Sequence, residues 1–219
     1  MSYVSPNGMS VNFHYCALYY LNWWYNYDEK YCLALQSGNE SEKISQLQDA
    51  AKQYKVIRNI EKRQDVHAET PLERMATVLR VLEEPEYASI KEDELVDAII
   101  RAERAIRNTQ TKGVLSLTTK MFWLKHKDPI IIYDTNAIKA LKKEKYKVAQ
   151  NDYLAYVTKW KDCYKKHRRE IAEACSELPK VWKYAEKAYR LSEASVKTVA
   201  SEEWFRRRTF DIYLWHEGA

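Results

Sequence analysis

Turn-forming residues are scarce in this chain, with only 4 Gly and 5 Pro in 219 residues. A many-stranded sheet needs a turn at regular short intervals, so this scarcity excludes most all-β architectures and favours long helices joined by short loops. The 4 cysteines, Cys16, Cys32, Cys163 and Cys175, show no CxxC spacing. That removes the usual zinc-ribbon and iron–sulfur arrays, and no metal or cofactor is expected. Cys163, His167 and Cys175 are loosely spaced like ligands, but thiols buried on helix faces account for them better. Reduced thiols without a secretory pattern point to a cytoplasmic protein. No stretch approaches the roughly 20 apolar residues of a membrane span. The aromatic run from Phe13 to Asp28 is interrupted by His14, Asn22 and Asn26, so no membrane partner is expected. Repeats and low-complexity tracts are absent as well.

What is present is aromatic and charged. Hydrophobic residues make up 46% and charged residues 31% of the chain, enough for a substantial core. The net charge of +5 is unevenly spread. From Glu83 to Asp97 the balance is −6, and from Ala137 to Glu170 it is +7. A chain polarised in this way has one region suited to a polyanion, although a solvated lysine-rich helix would show the same pattern.

The expected fold class is all-α, one helical domain over residues 1–219 with residues 1–10 as a loose leader. Any two-lobe division would fall near residues 108–112 and 147–151. Val11 to Leu35 is apolar nearly all round and reads as a buried helix. After a break at Ser37-Gly38-Asn39, Ser41 to Gln64 carries Ile44, Leu47, Ala51, Tyr54 and Ile57 on one stripe. Thr70-Pro71-Leu72-Glu73 has the form of a capped helix start, for a helix bearing Met75, Val78, Leu79 and Leu82 that ends near Pro85. Ser89 or Ile90 opens a helix to about Arg107. Asn151 is expected to cap a long helix to Cys175, Leu178-Pro179 to start another, and Ser201 to open a last helix ending at Trp215. Ile130-Ile131-Ile132 is the one strand-like run.

The segment 113–141 carries the chemistry. Leu115 to Lys120 stands where a hairpin between two helices would place its turn and the start of its second helix. Unpaired N–H groups there, with the hydroxyls of Ser116, Thr118 and Thr119, would bind a phosphate; an ordinary capped turn would have the same spacing. Lys120 precedes Met121-Phe122-Trp123-Leu124, and desolvation beside such bulk favours a neutral, nucleophilic amine. A snorkelling surface lysine is the plainer alternative. Asp134 lies at a helix N-cap, where N–H groups and the dipole hold it as a carboxylate. A fixed carboxylate beside a flipped nucleotide can stabilise an oxocarbenium-like sugar and orient water. Its plainer role is the cap alone.

Basic and aromatic residues supply the rest of an expected DNA interface. Arg58, Lys62 and Arg63 lie along the second helix with His67, and Arg206, Arg207 and Arg208 form a triple near the C-terminus. Basic groups would track phosphates, and Tyr54, Trp123 and Tyr133 are candidates to line a base pocket. Asn12, His14, Asn22, Asn26 and Asn59 are candidate base contacts only by their polar character.

These residues together resemble the helix–hairpin–helix DNA glycosylases. Ser116 to Thr119 match the hairpin, Lys120 the lysine after it, and Asp134 the aspartate that begins a later helix. Thr119-Lys120, Pro129-Ile130, Tyr133-Asp134-Thr135 and the late Arg208-x-x-Asp211-x-x-Leu214-Trp215 also look like a pattern in a group of bacterial proteins, in whose neighbourhood the resemblance places an anti-phage glycosylase that removes a modified phage base. The resemblance implies a two-lobe helical fold, base flipping, and double-stranded DNA with a damaged or modified base as the partner of a monomer. It covers about 30 of 219 residues. The hairpin lacks an internal glycine, and the interval from Lys120 to Asp134 is shorter than the family's, which favours a monofunctional, water-using reaction. A non-catalytic helical DNA- or RNA-binding protein is the alternative, and a protein-interaction module with an aromatic surface is a third.

Overall fold

The computed structural model describes residues 11–57, 71–107 and 113–219. Ten α-helices account for most of these, and no strand forms among the described residues. The isoleucine run 130–132 belongs to no regular element and is buried, at 2%, 1% and 3% exposure. It is a core-crossing connection rather than part of a sheet.

The chain divides into two compact units, Tyr27–Tyr133 and Asp134–Ala219 with the N-terminal stretch to Asn26. In the latter, α1 (Phe13–Trp23) begins at Asn12, whose side chain accepts the Tyr15 N–H. It packs on α8 (Tyr153–Val181) and α10 (Glu203–Gly218). The sequence suggests that α8 stops at Cys175 and a new helix starts at Leu178-Pro179. Instead α8 runs 29 residues and carries Pro179 in its last turn. Near a C-terminus the missing N–H of proline costs one bond, and α8 ends two residues later. Its cap is Asp152, not Asn151, because Asn151 takes a left-handed conformation at φ 63°.

The expected last helix is α10, which begins at Glu203 and runs to Gly218; before it lies a helix the sequence reading did not separate, α9 (Glu193–Ser201), opened by a Ser192/Ser195 capping box. Phe205 on α10 meets Tyr20 at 5.0 Å, and Phe210 meets Trp160 edge-on at 5.1 Å, so α1, α8 and α10 share one aromatic core. The short helix α7 (Thr135–Lys143) lies against α10. A Cβ on Gly218 would stand 1.8 Å from the Asn136 carbonyl oxygen, so only glycine permits this approach.

The other unit holds α2 (Glu29–Ser37), α3 (Glu40–Gln53), α4 (Pro71–Leu82), α5 (Leu95–Arg107) and α6 (Leu115–His126). The helix expected to reach Gln64 ends at Gln53, because Lys55 turns the chain at φ 56°. Residues 58–70, including the expected start at Thr70, lie outside the described residues. The helix expected from Ser89 or Ile90 begins only at Leu95, after turns through the acidic stretch 91–94. Packed on α2, α4 and α5, α6 is buried on nearly every side from Leu115 to Leu124.

The expected helix from Val11 to Leu35 is interrupted. A π-helical segment, Trp24–Asp28, comes after α1 and leads directly into α2. A π turn holds more residues than an α turn, so it shifts the helical register of the side chains beyond it. Asp28 at its end is fully buried, and its two oxygens accept from the Tyr54 hydroxyl at 2.8 and 3.0 Å. The N-terminal stretch is less completely buried than its composition suggests: Tyr15 and Leu33 are half exposed.

Candidate active site

Asp134 caps α7. Its backbone is extended, and Oδ1 accepts the Asn136 N–H at 2.9 Å. The side chain is half-buried and the following Thr135 is exposed, so the carboxylate is fixed yet open to solvent. A second carboxylate lies near it. Asp211 on α10 is buried, with Oδ2 accepting from Arg208 Nη1 at 2.9 Å and Oδ1 from Trp160 Nε1 at 2.8 Å. Burial raises the Asp211 pKa; Arg208 and Trp160 oppose that shift, and the neighbouring charge of Asp134 adds to it. The Arg208 guanidinium also faces the Tyr20 ring at 5.1 Å, so the Arg-x-x-Asp pair ties α10 to both α1 and α8 beneath α7.

Arg208, expected on DNA, is therefore a core residue at 4% exposure. Arg206 is half-buried and oriented to Glu203 at 3.9 Å. Glu203 also draws Arg207 at 3.9 Å and Arg168 at 3.6 Å, and it accepts from the Tyr164 hydroxyl at 3.0 Å. The arginine triple is thus largely committed inside its own unit. Arg58, Lys62, Arg63, Asn59 and His67 lie outside the described residues.

The expected hairpin residues are helical. Ser116, Thr118 and Thr119 all lie within α6, and Lys120 sits at its middle rather than at its start. Thr118 and Thr119 are fully buried. Their hydroxyls donate to the Val114 and Leu115 carbonyls at 3.1 and 3.0 Å, so neither is turned to an external phosphate. Thr119 Oγ1 also accepts the Tyr133 N–H at 3.1 Å, which holds the residue before Asp134 against α6. The Val114 N–H at the entry to α6 is tied back to α5, donating to Glu103 at 3.2 Å.

Lys120 is 5% exposed, and its Nζ donates to Ser116 Oγ at 2.8 Å. The same Nζ lies 5.9 Å from the Tyr54 ring centroid. Lys120, Ser116, Tyr54 and Asp28 form one polar cluster inside an apolar unit. The sequence points to the first three as site residues but not to Asp28, whose only signal is that of a lone acid within an aromatic run. Trp123 and Tyr133, expected in a base pocket, are 1% and 2% exposed and belong to the core. Asn22 and Asn26 both engage Glu186, the first through the Glu186 backbone N–H at 3.0 Å and the second through the carboxylate at 2.6 Å.

The exposed cations lie elsewhere. Lys142, Lys145 and Lys147 line a groove of about 610 Å³ at the end of α7 and the start of α8, together with Tyr146 and Asp152. Lys139 and Lys143 on the same helix are exposed as well, Lys139 donating to Asn136 at 3.1 Å and Lys143 to the Glu217 carbonyl. Among the described residues no cluster of His, Cys, Asp or Glu could hold a metal ion, and no helix is long and apolar enough to cross a membrane. All four cysteines are free and buried, and burial pushes the Cys163 and Cys175 thiols up to about 11. No family model, curated protein or solved structure matches the chain, so its function is read from its residues and their geometry.

Proposed function

We propose that the protein is a DNA N-glycosylase that excises a damaged or modified base from duplex DNA, acting as a monomer. A modified phage base, removed in antiviral defence, is the substrate class the resemblance favours. The observation that carries this reading is the placement of Asp134, a half-open carboxylate fixed at the N-terminus of α7. The lysine-lined groove at the other end of the same helix supports it. A nine-residue helix is about 13 Å long. That is roughly four nucleotide steps along a strand, so a backbone held by the lysines would pass Asp134 within one short stretch of DNA.

In the reaction, the bond between sugar C1′ and the base nitrogen breaks, and its electron pair leaves with the base, which takes a proton from solvent. The Asp134 carboxylate stabilises positive charge developing on the sugar and orients a water. The water oxygen bonds to C1′, and its proton passes to the carboxylate. Lys120, buried and donating to Ser116, stays outside this monofunctional step. The residues matched to the hairpin, 116–119, lie inside α6, and residues 108–112 before it lie outside the described residues.

The test is base release, read by mass spectrometry, from unmodified, damaged and phage-type modified DNAs, with Asp134→Asn alongside. Asn caps a helix about as well as Asp, so the variant should fold within about 1 kcal/mol of the wild type. It is expected to bind DNA normally and release no base. Release at the wild-type rate would sink the proposal. Tight binding with no release from any DNA would favour the non-catalytic nucleic-acid-binding reading, in which the exposed lysines act alone.

A further inference from the structure

Two tyrosines stand almost wholly in solvent. Tyr184 is 80% exposed and Tyr189 83%, the highest values among the exposed large hydrophobic side chains of the described residues. Both lie in short 3-10 turns, Trp182–Tyr184 and Ala188–Arg190, that come after α8. An exposed aromatic on a loose loop would mean little, but this segment is anchored. Glu186 is held by Asn22 and Asn26, Lys187 Nζ donates to the Tyr25 carbonyl at 3.2 Å, and Ala185 is buried beside them. The two rings are thus presented outward from a stretch whose centre is pinned.

The segment's own charge is mostly positive, although Glu173 and Glu177 of α8 line a groove with Tyr184 on its other side. Residues 180–190 carry Lys180, Lys183, Lys187 and Arg190 against Glu186 alone, a balance of +3. Glu186 is engaged by Asn26, and the nearby Glu177 is paired with Lys180 at 2.8 Å. Lys183 and Arg190 are exposed and flank the rings, with Lys183 Nζ also 6.0 Å from the Trp182 ring centroid. Exposed rings that alternate with cations match the chemistry of unpaired bases joined by phosphates. Bases stack on the rings regardless of sequence, and the cations track the backbone.

We infer that the segment Trp182–Arg190 binds single-stranded nucleic acid, with bases stacked on Tyr184 and Tyr189 and phosphates on Lys183 and Arg190. The inference does not rest on the glycosylase reading, since it requires neither Asp134 nor a duplex.

The experiment is fluorescence anisotropy of a labelled oligothymidylate of about a dozen nucleotides with the full chain at low salt. Tyr184→Ala/Tyr189→Ala should bind about thirtyfold more weakly, two stacking contacts being lost. Tyr184→Phe/Tyr189→Phe should bind like the wild type, because stacking needs the ring and not the hydroxyl. Both positions are exposed, so the variants should melt with the wild type. Unchanged affinity in the alanine variant would overturn the inference and place the oligonucleotide on the α7–α8 lysines. No binding by the wild type would also overturn it and leave the rings to a protein partner.

Discussion

Helices α6 and α7 are neighbours in the chain, and both carry hydroxyl and lysine side chains, but they use them oppositely. In α6 the polar side chains turn inward: Thr118 and Thr119 bond to carbonyls one turn back, Lys120 to Ser116, and Lys125 to the Leu82 carbonyl at 3.0 Å. In α7, Thr135, Lys139, Lys142 and Lys143 are exposed and Asp134 is half-open. Residue type alone does not make a site. A polar group on a helix covered all round must satisfy its hydrogen bonds within the protein, whereas the same group on a half-covered helix remains available to a ligand.

The sharpest way to break that contrast is a pair of matched substitutions. Thr119→Val keeps the shape but removes the acceptor of the buried Tyr133 N–H. Leaving such a donor unsatisfied should cost about 1–3 kcal/mol, read as a lower denaturant midpoint. Thr135→Val at the exposed start of α7 should stay within about 0.5 kcal/mol of the wild type. Equal losses at the two positions would erase the distinction.

Next in size is a charge reversal at the groove. Lys142→Glu/Lys145→Glu/Lys147→Glu should weaken duplex DNA binding at least tenfold. The slope of log affinity against log salt should become shallower by roughly 3 if each lysine meets one phosphate. Stability should hardly change, because all three lysines are exposed. An unaltered slope would remove α7 from the DNA-binding surface.

These contrasts also show what was legible in the sequence. Helical periodicity placed α4, the body of α5 and most of α8, because each has an apolar stripe at helical spacing, whereas the starts of α5 and α8 were misplaced. The cap at Asp134 was legible for the same reason: an aspartate directly before an amphipathic run has few other uses. Burial of α6 was legible in Met121-Phe122-Trp123-Leu124. That the same burial extends back over Thr118 and Thr119 was not, because threonine can sit in a core by bonding to its own helix. Arg208 failed as a DNA contact for a related reason. Its partner Asp211 is visible one turn later, but Trp160 and Tyr20, which enclose the pair, come from other helices. The π segment left no periodic trace, so Asp28 could not be paired with Tyr54 in advance. The lysine groove was visible only as a charge balance, since exposure depends on what α10 and α8 cover.

The smallest effect lies at the end of α6, where His126 is half-buried with its ring 5.9 Å from Phe122. Its Nε2 is buried with no hydrogen-bond partner among the described residues. Burial, aided by the charge of Lys125, lowers its pKa from 6.5 to about 4. The unfolded chain therefore binds a proton on this residue at higher pH than the folded one does. Its stabilising contribution is complete above about pH 6.5 and is lost as the pH falls through 6.5 towards 4. The midpoint of thermal unfolding should fall over this window in the wild type and fall less in His126→Phe. Some slope should persist in that variant, because burial lowers the His216 pKa in the same direction. Neutral Lys142→Gln/Lys145→Gln/Lys147→Gln, which adds no group titrating in this window, should keep the wild-type pH slope while losing DNA affinity, and His126→Phe should do the reverse. A pH slope unchanged in His126→Phe would mean that the end of α6 is open to water, and the division between an inward α6 and an outward α7 would stop short of its last turn.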